Sequence, residues 1–177
     1  MEETKTAAEQ THYLTFHVAG EEYAVNVLCV KEIIEYDALT KMPNTPPAVR
    51  GVINLRGSVI PVVDLAVKFG LPETRITKFT CIVIVEVRKG SDETVMGVMT
   101  DSVSQVISLS AEEIERAPVF GTQVNAEFIQ GMGKTGKKFL LILNIDRLLS
   151  EESLRRQAAV PEPPAGPGAT EEEGRLS

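Results

Sequence analysis

The sequence predicts an all-β protein: two small β-barrels of about five strands each, sharing a core, with a short helix near the C-terminal end. Three observations lead there. Apolar residues recur with period two over most of the chain, which is the spacing of strands. One run, FTCIVIVEV at 79–87, is apolar on both faces, as expected of a strand buried between two layers. The order glycine, turn, apolar strand, side-chain cap, short helix occurs twice, over 51–64 and again over 131–144.

The elements follow in order. In 13–18, Leu14, Phe16 and Val18 share a face, which puts His17 on the polar, solvated one. Gly20 marks a turn, and the alternation resumes at Tyr23, so 13–27 reads as a hairpin. Residues 51–63 form two apolar segments around Arg56-Gly57-Ser58, with Pro61 at an edge or bulge position. Asp64 is a fitting N-cap for a helix over 65–69, closed by Gly70 and Pro72. A polar turn at 89–92 links the doubly apolar strand to 94–99, and Ser110 with Glu113 spells a capping box for a single turn. Residues 128–143 form a last hairpin around Lys134-Thr135-Gly136. Asn144 then caps the one longer helix, about 145–156, with Ile145, Leu148 and Leu149 as its apolar stripe.

The repeat extends beyond 51–64 and 131–144. Val59–Val63 aligns with Phe139–Leu143. Upstream, 24–33 aligns with 97–106, setting Val30 against Val103 and Glu32 against Gln105, and Pro43 and Pro118 follow in order. Around this unit, 1–12 reads as a flexible lead-in. Residues 157–177, rich in Pro, Gly and Glu with few large apolar side chains, read as a disordered tail. The folded unit is then 13–156.

Composition excludes several functions. A formal charge of -7 over 177 residues, with no basic stripe, argues against nucleic acid. No apolar run is long enough to insert in a membrane, and the polar N-terminus lacks the apolar core of a secretory signal. Cys29 and Cys81 sit in apolar runs and read as reduced structural thiols, which points to the cytoplasm. No His, Cys and carboxylate cluster has metal-ligand spacing, no serine sits in a nucleophile elbow, and no cofactor is expected. Gly133-Lys134-Thr135 resembles the end of a phosphate-binding loop, but an apolar strand follows where that loop needs a helix. Asp64 and Asp101 as an acid–base pair have nothing to bring them together, and each has a sufficient role as a cap or turn residue. No catalytic residue is assigned.

One cluster stands out: Asn44-Thr45-Pro46, Gly51-Val52, Asn54-Leu55-Arg56-Gly57 and Pro61-Val62-Val63-Asp64-Leu65 with Lys68-Phe69. Asn54 and Gly57 suit a tight turn, beside which Arg56 is either a solvated residue or a contact residue. With Glu21-Glu22-Tyr23, Val30-Lys31-Glu32-Ile33, Gly97, Asp101, Val103, Ser108-Leu109 and the ending Leu140 to Leu149, this resembles the CheW family of bacterial chemotaxis over about 13–150. The resemblance implies two five-stranded SH3-like barrels and a non-catalytic adaptor of chemotaxis signal transduction. It implies two partners: the regulatory domain of a CheA-type histidine kinase and the cytoplasmic tip of methyl-accepting chemotaxis receptors. It also implies association with membrane receptor arrays through those partners. Carried over by position, Val27, Val30, Glu32, Ile33 and Arg56 belong to a receptor-binding groove between the barrels, and Asn54–Gly57 to a structural turn. Val30 is either a groove residue or plain core. Glu32 and Arg56 either pair to shape the groove or are separately solvated.

Overall fold

The computed structural model describes residues 10–116, 125–136 and 138–159; the expected lead-in up to residue 9, Pro118 and the tail beyond 159 lie outside them. Strands β1 (Thr11–Val18) and β2 (Glu21–Asn26) form the first hairpin. Ala19 and Gly20 between them both have positive φ, 54° and 85°, the two-residue turn whose twist matches that of paired strands. A 3-10 turn at Val27–Cys29 leads to β3 (Val30–Glu35). Next come β4 (Val49–Leu55), β5 (Ser58–Asp64) and helix α1 (Leu65–Lys68), then β6 (Cys81–Lys89), β7 (Asp92–Thr100) and β8 (Ser102–Leu109). After a turn at Ala111–Glu113 come β9 (Ile114–Glu115), β10 (Ile129–Thr135), β11 (Lys138–Leu143), α2 (Ile145–Leu148) and α3 (Glu151–Ala159).

The strands make two sheets, ordered β8-β1-β2-β11-β10-β9 and β3-β6-β7-β5-β4. The internal repeat is present to the residue. Val62 pairs with Gly97 in the parallel β5–β7 contact, and their equivalents Ile142 and Ala24 pair in the parallel β11–β2 contact. Bulges recur too: the ladders skip Lys31 and its equivalent Ser104, and Arg50 and its equivalent Gln130. The repeats are nevertheless interleaved. β1 and β2 from the first half stand with β8 to β11 from the second, while β6 and β7 stand with β3 to β5.

Each sheet is bordered on both sides by one continuous stretch of chain. Beyond edge strand β3, Thr40 pairs with Val52 of the opposite edge strand β4, with N···O distances of 3.0 and 2.8 Å. Beyond edge strand β8, Glu115 of β9 pairs with Met132, the repeat equivalent of Val52. Both crossings need a glycine beneath them. A Cβ on Gly51 would stand 2.7 Å from the Thr40 carbonyl oxygen, and one on Gly131 2.6 Å from Ile114. The two sheets are thus closed units, the first with the extra short strand β9.

Three apolar clusters result. Tyr13, Ala24, Leu109, Leu140 and Ile142 fill the first unit, and Val62, Ile82, Ile84 and Met99 the second. The largest, including Phe16, Val25, Leu65, Val83, Val85, Val98 and Leu148, lies between them. Strand β6 supplies both sides: Ile82 and Ile84 face its own unit, Val83 and Val85 the shared core. That is the buried strand expected at 79–87, although it starts at Cys81 and leaves Phe79 exposed.

Local details differ from the sequence reading. β1 starts at Thr11, inside the expected lead-in. His17 is half-buried, held in a central strand between Glu22 and Ser102, and its Nδ1 has no hydrogen-bond partner. The C-terminal helix is two short ones. Ser150 ends the first and caps the second, its Oγ accepting from Ser153 N at 3.0 Å, and α3 runs on to Ala159.

Candidate functional site

β3 is an edge strand, paired on one side with β6. Its entry is fixed by Asn26, whose Oδ1 accepts from Leu28 N at 2.8 Å and whose carbonyl takes the Cys29 thiol at 3.0 Å. Val27, Cys29 and Val30 are half-buried against the shared core. The bulge at Lys31 then resets the alternation. Val30 and Ile33 pair with Val85 and Val83, so both take the shared-core face, and Ile33 lies at its rim with 43% of its surface exposed. Glu32 pairs with Ile84 and takes the opposite face. The structure therefore gathers Val27, Val30 and Ile33 on one side of β3 and leaves Glu32 on the other.

Arg56 meets Glu32 there. Leu55 packs against the core of the second unit, and Arg56-Gly57 form the two-residue turn between β4 and β5, with φ of 52° and 90°. Asn54 Oδ1 accepts from Gly57 N at 2.8 Å and holds that turn. Left-handed backbone is unusual for an arginine, and this turn imposes it. It aims the guanidinium across the mouth of the unit, where both Nη atoms donate to the Glu32 carboxylate at 2.8 Å each. That paired hydrogen bond, more than charge alone, lowers the Glu32 pKa below its ordinary 4.5 and raises that of Arg56. Alongside, Lys31 Nζ bonds Glu86 at 3.2 Å. All four residues of the Asn-Leu-Arg-Gly block thus serve one geometry.

The groups weighed as chemistry have other work. Asp64 is fully buried and accepts from Arg50 Nη1 at 2.6 Å, Ala66 N at 3.0 Å, Thr74 N at 2.8 Å and Thr74 Oγ1 at 2.7 Å. Asp101 accepts from Gly20 N at 3.4 Å. Lys134 lies in β10, bonded to Glu115 at 2.6 Å, and a strand rather than a helix follows. Among the described residues no cluster has the makings of a metal site, and no helix is long and apolar enough to cross a membrane.

The whole span from β1 to α3 matches the model of a known family, the CheW-like domain, over residues 12–153. The chain belongs to the CheW-like family. Its relatives include the chemotaxis protein CheW of Klebsiella aerogenes, 37% identical over 142 residues that cover 80% of this chain and 83% of that protein. The CheW of Bacillus subtilis is also 37% identical, over 150 residues covering 84% and 92%. The crystal structure of the scaffolding protein TtCheW from Thermoanaerobacter tengcongensis superposes with a TM-score of 0.72 at 31% identity, covering 81% of this chain and 90% of that one. The CheW-like family is one of chemotaxis scaffold and coupling proteins, not of enzymes.

In this CheW-like chain, sequence reasoning missed several site residues. Asn26 as a cap had a visible signal, since asparagine stands two residues before the amide it receives. The Lys31–Glu86 and Arg50–Asp64 pairs had none, because their members lie on different strands. Leu28 hid among the apolar residues around it.

Proposed function

We propose that this protein couples methyl-accepting chemotaxis receptors to a CheA-type histidine kinase by binding both. The receptor tip lies along β3, against Val27, Val30 and Ile33 and beside Glu32 and Arg56; the kinase regulatory domain engages exposed ends of the two units. The observation that carries this reading is the Arg56–Glu32 pair. A left-handed arginine, held by its own turn, is spent on ordering a half-buried carboxylate of β3, the edge strand whose other face carries Val30 and Ile33. Such an arrangement fixes polar groups on a surface without contributing to the core, and it suits a partner with both apolar and charged contacts.

The test is binding of a receptor-tip hairpin and of the kinase regulatory domain to two variants, with melting curves alongside. Val30 serves both surface and core, since it packs against the shared cluster while remaining half-exposed. Val30→Asp is therefore expected to cost receptor binding about 2 kcal/mol, roughly thirty-fold, and some stability as well. Arg56→Glu is the cleaner probe. Arg56 is exposed, so folding should be intact, while placing two carboxylates at the mouth should weaken receptor binding about tenfold or more. Wild-type receptor affinity in a folded Arg56→Glu protein would sink the groove assignment.

A further inference from the structure

Leu28 is the most exposed large apolar residue among those described, with 86% of its surface accessible. It is not a loose loop residue. Its amide is held by Asn26 Oδ1 at 2.8 Å, and its neighbours Val27 and Cys29 are anchored in the shared core. The backbone thus presents a leucine to solvent from a fixed 3-10 turn.

The internal repeat shows that the fold does not require an apolar residue here. Aligning Val30 with Val103 sets Leu28 against Asp101. That aspartate has a structural task, accepting from Gly20 N at 3.4 Å across the equivalent crossover. One repeat uses the position to hold a hairpin, and the other leaves a leucine bare beside an open cleft of about 460 Å³. The charged residues lining that cleft are Glu86, Arg88 and Asp146. Glu86 is bonded to Lys31 at 3.2 Å and Arg88 to Glu93 at 3.4 Å. Among the described residues, Asp146 has no cationic partner and takes only the Arg88 backbone N–H, at 2.8 Å.

The geometry points to Leu28 and this cleft as the apolar anchor of the partner groove, taking a helix face that carries an aliphatic side chain next to a lysine or arginine. This rests on the proposed receptor groove along β3 and extends it past Val27. An aliphatic side chain packed on Leu28 removes its surface from water, and the adjacent cation finds the Asp146 carboxylate. The Cys29 thiol reports the same negative field: burial first, then Asp146 and Glu86, push its pKa up to about 11.

The experiment titrates a two-helix receptor-tip hairpin, and separately the kinase regulatory domain, into the full chain and three variants by calorimetry, with melting curves. Leu28→Ala should weaken hairpin binding about tenfold or more, with unchanged melting and unchanged kinase binding. Asp146→Asn keeps the acceptor for Arg88 N and removes the charge. It should weaken hairpin binding about threefold or more at low salt, with the difference closing as salt is raised. If Arg56→Glu loses the hairpin while Leu28→Ala binds like wild type, the anchor is refuted and the groove stands. A lowered melting temperature in Leu28→Ala, or an equal loss of kinase binding, also refutes the anchor. No salt-dependent change in Asp146→Asn removes the cation from the partner's description. If neither Leu28→Ala nor Arg56→Glu alters hairpin binding, the groove itself is wrong.

Discussion

The buried Asp64 network offers a stability test whose design comes from the repeat. Asp64 caps α1 and binds Thr74, which ties the loop after α1 to β5, while Arg50 supplies the countercharge at 2.6 Å. In the second repeat the same two places hold the neutral Gln130 and Asn144, and Asn144 still caps its helix, accepting from Arg147 N at 3.1 Å. Asp64→Ala removes the cap, worth about 1 kcal/mol. It also strands Arg50, a loss of about 3–5 kcal/mol for a buried pair, at the low end here because Arg50 is 19% exposed. The expected total is about 4 kcal/mol, or a fall of the order of 10 °C in melting temperature. Asp64→Asn keeps the cap and gives up the charge, at about 2 kcal/mol. The double variant Arg50→Gln with Asp64→Asn copies the second repeat and should recover at least about 1 kcal/mol relative to the sum of the single changes. Urea unfolding of wild type, Asp64→Asn, Arg50→Gln and the double variant measures this coupling, with Asp64→Ala alongside. Strict additivity, or a cost for Asp64→Ala under about 1 kcal/mol, would refute the view that the carboxylate and guanidinium stabilise the fold as a pair.

Three further outcomes are expected. The Glu32 carboxylate, bonded to Arg56, should titrate below 4.5, so the pair is complete above that pH and is lost only as pH falls through the lowered folded value. Carbon-detected NMR should show this, with a return towards 4.5 in Arg56→Ala and no change in groove binding attributable to Glu32 between about pH 6 and 8. Cys29, its pKa near 11 from burial and then from the Asp146 and Glu86 carboxylates, should react with a maleimide far more slowly at neutral pH than a small free thiol; rapid labelling of a Cys81→Ser protein would contradict the burial. Gly51→Ala should destabilise by about 1–3 kcal/mol because its Cβ meets backbone at 2.7 Å, while Gly131→Ala, which meets a movable Ile114 side chain, should cost less in the same urea assay.

Much of the fold was legible because strand alternation and turn chemistry are local. Arg56-Gly57 and Ala19-Gly20 announce two-residue turns, and Asp64 and Asn144 announce caps, from their immediate neighbours alone. The interleaving was not legible. The pattern of β5 says that Val62 and Val63 face opposite ways, but not that β5 runs parallel to β7. The stripe of Ile145, Leu148 and Leu149 after the Asn144 cap runs into Ser150 as helix interior; the break there is made by the Ser150 hydroxyl, which accepts from Ser153 N and starts a second helix. At the site, Glu32 and Arg56 stood out by charge and by family resemblance. Leu28 did not, because in Val27-Leu28-Cys29-Val30 an exposed leucine and a core one read alike. Only its alignment with Asp101, confirmed by the matching bulges, separates them.

The interleaving has a consequence for how a coupling protein of this build behaves. Among the described residues, every strand pairing within a half is a hairpin, the short β9–β10 contact or its counterpart, the Thr40–Val52 bridge, whereas β1–β8, β2–β11, β3–β6 and β5–β7 all join one half to the other. The shared core draws on both halves as well. Isolated hairpins are marginal in water, so neither half has a stable fold to return to if the two separate. A hinge between the repeats is therefore not available, and β3, chained to the first half but paired in the second, is held by both. On the proposed function, coupling would then rest on fixed placement of two surfaces on one rigid body. Separate chains of 10–71 and 78–159 put this to the test. Each alone should lack a cooperative unfolding transition, and mixing them should restore one together with receptor binding. Cooperative unfolding of either fragment by itself would show that a half is an independent unit, and the rigid-body argument would fall with it.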